Sequence, residues 1–464
     1  MARSFSLLLF LVLVTIGPGP LSAGDDPPDI ILIMADDVGI EGLGCYGGQS
    51  YRTPNLDQMA ADGVRFTHAY SQPLCTPTRI ELMTGKDNHR NWQSFGILDP
   101  GQRTFAHAMS DAGYVTGIFG KWQLHSYDPP EFAGGSARRG TGMHPKDAGF
   151  DQYALFHALH TEDKGSRYAN PTMLEGTAGA PGTLQIYHDR YGEDVWVEKI
   201  LQFLDTHSDR PRFVYYPMAL PHWPFQPTPK TTGWDPSVPQ ETDLKFAGDM
   251  IEYMDVAVGN LMQGLRDRDL AAGTVVIFYS DNGTHLEVHS MLRDGRVIQG
   301  GKAMPTQTGI HVPLIVHCPD RFQPAVVDRI VDPSDFYPTL LDLAGRPDLA
   351  KQASLDGISF LPQLRGESGP TRETAFFWYD PRPGWDKERF GRHVFALNRT
   401  HKLFRDGRLF RLTDKPLEEI AVSAADETEA DRAASKQLRA VIDDAMEGVE
   451  EPPLVDAFGN PIDP

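Results

Sequence analysis

Four short apolar runs, each ending in chemically capable polar residues, constrain this chain more than any other feature. Ile30-Ile31-Leu32-Ile33-Met34 leads into Asp36 and Asp37, and residues 115–119 lead into Gly120 and Lys121. Phe213-Val214-Tyr215-Tyr216 leads through residues 217–221 to His222, and residues 275–279 lead into Asp281, Asn282 and Gly283. Runs of this length, rich in β-branched and aromatic residues, read as strands buried on both faces, the kind found in mainly parallel sheets. Helical patterns lie between them, at 55–63, 104–112, 192–204 and 253–265. The alternation predicts an α/β layered fold, a large, mixed, mainly parallel sheet flanked by helices. Ligands of such open sheets bind outside the carboxyl ends of the strands, so the four polar strand ends are expected to share one crevice.

The pattern changes after about residue 365. Short β-like pieces at 375–379, 393–397, 402–404 and 408–412 precede a helical stretch over 427–447, which predicts a small antiparallel sheet packed on a helix. The Pro-rich segment after Gly448 reads as an extended tail. Residues 126–149 and 169–182 lack periodicity and read as surface loops, of the length that often covers a binding site.

The formal net charge of −20 argues against a nucleic-acid partner, because phosphate binding needs clustered Lys and Arg. An anionic substrate would require a local positive pocket in this acidic surface. Arg3, the apolar run 7–16 and Leu21-Ser22-Ala23 compose a signal peptide with cleavage after Ala23, so the chain is expected to be exported, to a periplasm or outside the cell. No later segment is apolar enough to cross a membrane. Three cysteines, Cys45, Cys75 and Cys318, cannot build a disulfide framework. If Cys75 is used chemically, only Cys45 and Cys318 remain to pair, and the sequence leaves that pairing open.

Cys75-Thr76-Pro77-Thr78-Arg79 carries the most specific chemistry. Pro77 suits the first turn of a helix and Gly85 its end, which places Cys75 at a helix N-terminus where an anion is favoured. Arg79 lies one turn on and can face the same spot. Further elements follow: Gly113 to Trp122 with Lys121, Pro221-His222-Trp223-Pro224, Gly300-Gly301-Lys302, and Gly309-Ile310-His311-Val312-Pro313. Asp36, Asp37, Asp281 and Asn282 offer hard oxygen ligands, which suit Ca²⁺ better than zinc or copper.

These elements, in this order over residues 29–366, resemble the type I sulfatases of the alkaline phosphatase superfamily, the formylglycine-dependent, arylsulfatase-like enzymes. The resemblance implies an alkaline phosphatase-like catalytic domain over 24–365, and the change of pattern beyond it marks a C-terminal subdomain over 366–448 and a tail over 449–464. It implies that a maturation enzyme oxidises Cys75 to formylglycine, which with Asp36, Asp37, Asp281 and Asn282 surrounds a Ca²⁺ ion. Arg79, Lys121 and Lys302 are then expected to meet the sulfate oxygens, and His222 with Lys302 to serve the leaving oxygen. Two positions depart from the family pattern. Gln123 stands where the family has histidine, so His125 is the candidate to take that role from a shifted position, and His311 stands where an arginine is usual.

The expected activity is hydrolysis of sulfate esters, on aryl sulfates or sulfated carbohydrates. Two alternatives stay open at this point. One is a phosphodiesterase or phosphonate hydrolase of the same superfamily, and the other is a non-catalytic protein that binds sulfated glycans.

Overall fold

The computed structural model describes residues 26–128, 135–161, 163–384, 390–456 and 458–462; the signal-peptide segment lies outside the described residues. A ten-stranded sheet runs through the larger part of the chain. Its strands are β1 (Ile30–Ala35), β2 (Val64–Ala69), β3 (Val115–Lys121), β4 (Gln152–Phe156), β5 (Thr172–Thr177), β6 (Thr183–Ile186), β7 (Arg212–Pro217) and β8 (Val275–Ser280). After a two-stranded ribbon of β9 (His289–Met291) and β10 (Val297–Gln299), β11 (Leu314–His317) and β12 (Ala325–Val331) complete it. The spatial order is β12-β2-β11-β8-β1-β7-β3-β4-β5-β6. The four strands expected from the apolar runs are the contiguous centre, β8-β1-β7-β3, all parallel. Their carboxyl ends therefore open side by side. Antiparallel β11 borders this centre on one side; on the other, beyond β4, lie β5, antiparallel to β4, and β6, antiparallel to β5.

Both faces of the centre are buried, which explains the unbroken apolar runs. Ile30, Leu32 and Met34 point to one core with Ile80, Phe105, Met109 and Leu340. Ile31, Ile33 and Ala35 point to the other with Leu56, Val195, Ile200, Met250 and Met254. Each such fully buried aliphatic side chain contributes roughly 1.5–3 kcal/mol. The helices Pro54–Asp62, Phe105–Asp111 and Gly192–Thr206 lie close to their expected spans. Ala247–Arg266 starts six residues earlier than its apolar periodicity, because its first turn is polar on the outside.

A five-stranded antiparallel sheet follows, β13 (Ala375–Tyr379), β14 (His393–Leu397), β15 (His401–Phe404), β16 (Leu409–Leu412) and β17 (Glu419–Ala421). The helix Glu429–Met446 packs Leu438 and Ile442 on Trp378, Val394 and Leu403. The other face carries Phe377, Phe395 and Phe404 against Tyr70 and Ile310 of the larger part. The segment 169–182, expected to be a loop, instead contains β5, which pairs with β4 from Gln152 to Leu155. Its two apolar residues, Met173 and Leu174, are adjacent rather than alternating, so the ladder and not the side-chain pattern makes it a strand. All three cysteines are unbonded.

Gly120 fixes how closely β3 and β7 approach before Lys121. Its φ is +139°, and a β-carbon there would stand 2.0 Å from the carbonyl oxygen of Pro217. Gly120→Ala is expected to cost roughly 3 kcal/mol of stability through strain and steric conflict, read as a lower urea midpoint.

Candidate active site

The carboxyl ends of β1, β3, β7 and β8 carry the site. Asp36 and Asp37 follow β1, and the Asp36 N–H donates to the Leu220 carbonyl at 2.9 Å, which ties the loop after β7 to them. Asp37 has φ 77°, a left-handed conformation that Asp tolerates, and its N–H donates to Asp281 Oδ1 at 3.2 Å. Asp281 and Asn282 follow β8, and Asn282 Nδ2 donates to Asp37 Oδ1 at 2.8 Å. Lys121 is the last residue of β3.

The helix Cys75–Thr84 points its N-terminus into this group and ends at Gly85, with φ 65°. Thr78 Oγ1 donates to the Asp281 carbonyl at 2.5 Å, which docks the helix on the end of β8. Arg79, one turn after Cys75, grips Asp281 Oδ2 with Nε at 3.0 Å and Nη2 at 2.8 Å. Cys75 Sγ and one oxygen each of Asp36 and Asp281 lie within 4.8 Å of one another. From the smaller sheet, Tyr379 closes this spot: it shares an apolar cluster with Cys75 and donates to the Ala303 carbonyl at 3.1 Å.

Each acid has a cation. Lys121 Nζ donates to Asp36 Oδ2 at 2.7 Å, Lys302 Nζ to Asp37 Oδ2 at 2.6 Å, and Arg79 to Asp281. His222 Nε2 lies 3.9 Å from Asp37 Oδ2. Burial alone would raise the Asp36 carboxyl, but Lys121, His222, Arg79 and Lys302 hold it well below the usual carboxylate range. Asp281 is pushed up to about 7, by burial and by the charge of Asp36, against the pull of Arg79 and Lys121. Burial, aided by Lys302, keeps the His222 imidazole neutral. Burial also pushes the Cys75 thiol up, only partly offset by Lys121, so the unmodified side chain is a poor nucleophile at neutral pH.

The donor set fits a hard divalent cation. Asp36 Oδ1 and Asn282 Oδ1 are buried without a hydrogen-bond partner, while Lys121 and the Asn282 amide are already bonded elsewhere. Leaving two buried oxygens unsatisfied costs about 1–3 kcal/mol each unless an ion or water meets them. The site opens on one side only, since side-chain exposure is 2 % or less at Arg79, Lys121, Asp36 and Asp37 but 9 % at Lys302 and 19 % at His222.

Nine of the ten residues expected here are thus gathered together. His125 is not joined to them by any contact among the described residues. It contacts the Gly142 carbonyl through Nδ1 at 2.9 Å and faces the rings of His144 and His160. The reason is the turn after β3: Gln123 adopts φ 53° and its N–H donates to the His157 carbonyl, which sends residues 124 and 125 along the neighbouring loop. His311 occupies the place of the usual arginine, stacked on His68, tilted against Tyr70 and contacting the Thr67 carbonyl at 2.8 Å. Arg167 and Tyr379 border the site without any local sequence signal.

Comparison with known proteins places the chain in a family. A protein-family model described as Sulfatase matches residues 28–346. Human arylsulfatase A is 33 % identical over 80 % of this chain and 73 % of its own length. An N-acetylgalactosamine-6-O-sulfatase of Bacteroides thetaiotaomicron is 27 % identical over 75 % of this chain and 78 % of its own. A protein solved in complex with its substrate D-glucosamine-2-N,6-O-disulfate shares the fold, with a TM-score of 0.66 at 20 % identity, covering 91 % of this chain and 98 % of that one.

Proposed function

The chain belongs to the sulfatase family and is a sulfuric ester hydrolase, and from that premise we propose that it uses a formylglycine made from Cys75, beside a Ca²⁺ ion, to cleave sulfated carbohydrates or aryl sulfates. The observation that carries this reading is the closed set of three acids and three cations around Cys75 with two unsatisfied oxygens left over. Asp36, Asp37, Asp281 and Asn282 would hold the cation. When bound, such a cation would supply Lewis acidity toward an oxygen nucleophile at position 75, and formylglycine at that position would supply, as its hydrate, a second hydroxyl for release of sulfate.

The residues divide the remaining work. Arg79, Lys121 and Lys302 place positive charge where the sulfate oxygens gain negative charge. Asp281 accepts the proton of the attacking hydroxyl, and its raised carboxyl range suits that role near neutral pH. Lys302 gives a proton toward the leaving oxygen, and His222, on the open side of the site, orients that oxygen. His125, whose ring faces His144 and His160 and contacts the Gly142 carbonyl, takes no part in this reading. A carbohydrate substrate is favoured by the sugar sulfatases among the relatives and by Trp223, half-exposed next to His222, whose flat ring suits a sugar face.

Export after cleavage near Ala23 and maturation by a formylglycine-generating enzyme complete the proposal. No helix among the described residues is long and apolar enough to cross a membrane. Parallel assays with 4-nitrophenyl sulfate and 4-nitrophenyl phosphate test the reaction class. The expected result is at least a hundredfold higher kcat/KM for the sulfate; preference for the phosphate refutes the assignment.

A further inference from the structure

We propose that the open side of the site selects sulfate esters whose alcohol portion carries a second anionic group, a carboxylate or another sulfate, and that Arg167 reads that group. The inference rests on the sulfate-ester reading above and adds the chemistry of the part that leaves.

Arg167 lies in the irregular segment between β4 and β5. Its Nη1 is 3.0 Å from His222 Nδ1, on the side of the ring away from Asp37. Its guanidinium carbon stacks 4.7 Å from the Phe156 ring centre and 5.8 Å from that of Tyr168. The Tyr168 hydroxyl donates to the Ala219 carbonyl at 2.9 Å and to that of His222, so the segment carrying Arg167 is bolted to the loop carrying His222. Position relative to the leaving oxygen is therefore set by structure and not by a free side chain.

Charge pairing makes this arginine unusual. Arg79, Lys121 and Lys302 each hold a carboxylate, and so belong to the sulfate being cleaved and its cation. No carboxylate pairs with Arg167 among the described residues. What distinguishes it from other arginines without an acid, such as half-buried Arg65, is its place against the ring of a site residue, His222. His222 Nδ1 and the aromatic rings engage one N–H and one face, which leaves further donors of a planar fork suited to bidentate carboxylate or sulfate. His157 is buried with Nε2 unpartnered, and burial together with Lys164, Arg167 and Lys121 keeps it neutral. An anion arriving on the open side meets the remaining guanidinium donors of Arg167 beside His222.

The test compares wild type, Arg167→Met and Arg167→Lys on two substrate pairs. One pair is 4-sulfooxybenzoate and its methyl ester; the other is glucosamine 6-sulfate and glucosamine-2-N,6-O-disulfate. The first pair asks about carboxylate and the second about sulfate. Arg167→Met is expected to lower the ratio of kcat/KM, dianion over monoanion, by about tenfold to a hundredfold in at least one pair, mainly through KM, as for loss of a charge-assisted hydrogen bond. Arg167→Lys should recover part of that ratio. Equal losses on both members of each pair, or an unchanged ratio, overturn the proposal, because a purely structural role would not distinguish them. If wild type releases sulfate from none of the four, the sulfatase reading fails separately. Calorimetric binding of the same four compounds then decides the role of Arg167 by the same ratio.

Discussion

Cys75→Ala is expected to lower kcat/KM for a sulfate ester by at least about 10⁴-fold while leaving the protein folded, since the residue that forms the covalent bond carries most of a nucleophilic mechanism. Cys75 is buried at the start of its helix, against Leu74, Phe95, Ala303 and Tyr379, and forms no ion pair among the described residues. Removing one sulfur from that cluster costs about 1 kcal/mol, too little to unfold a chain of this size. Cys75→Ser separates two accounts of the chemistry. A serine oxygen still has Arg79 and Asp281 beside it and can take up sulfate once, but it has no second hydroxyl with which to expel it. The expected outcome is a single turnover with the protein gaining the mass of one SO₃ group. Steady turnover by Cys75→Ser would show that an ordinary hydroxyl suffices and would remove the need for formylglycine. Intact mass of wild type from its native host checks the same point directly: conversion replaces a thiol by an aldehyde, and an unconverted Cys75 in an active preparation contradicts the proposal.

The parts of this molecule that sequence made legible are those where one physical constraint acts alone. β1, β3, β7 and β8 are buried on both faces, so their apolar runs are unbroken, and the polar residues after them have to emerge at the sheet's carboxyl edge. β2 was not legible: Arg65, Thr67 and His68 interrupt it, and its place is fixed by pairing with β11 and β12. The site residues could be named from short motifs, but not their partners. Lys121 pairs with Asp36 across 85 residues and Lys302 with Asp37 across 265, and no spacing encodes that choice. His125 shows the opposite error. A histidine two positions from the usual one looks like a near substitute along the chain, yet the positive φ at Gln123 turns the backbone and gives that ring different neighbours. Arg167 had no signal, because what marks it is its contact with His222, 55 residues on, without an acid partner among the described residues, visible only in three dimensions.

Asp36→Asn is expected to remove both activity and the stabilisation conferred by Ca²⁺, and the two losses have one cause. Asp36 is fully buried, with Oδ2 on Lys121 and Oδ1 without a partner. Asparagine keeps the shape but loses the charge, leaving the Lys121 ammonium buried without its counter-ion. Breaking a buried pair in this way costs about 3–5 kcal/mol, reduced here because Asp281 is relieved of a like charge. The folded-state carboxyl of Asp36 lies below its unfolded value, so its contribution is present above the ordinary carboxylate range and is lost as pH falls through the lower folded value. At neutral pH the full loss therefore applies. With Ca²⁺ at about 100 times its dissociation constant, wild type should gain about 2.7 kcal/mol over the chelator-treated protein, seen as a higher Tm, and Asp36→Asn should gain none. Its kcat should fall by at least about 10³-fold, because the cation is lost and the sulfate-binding Lys121 loses the carboxylate that positions it. Arg79 and Asp281 remain paired in this variant, so the helix carrying Cys75 stays docked, and an equal Ca²⁺-dependent rise in Tm for both proteins would place the cation somewhere other than the end of β1.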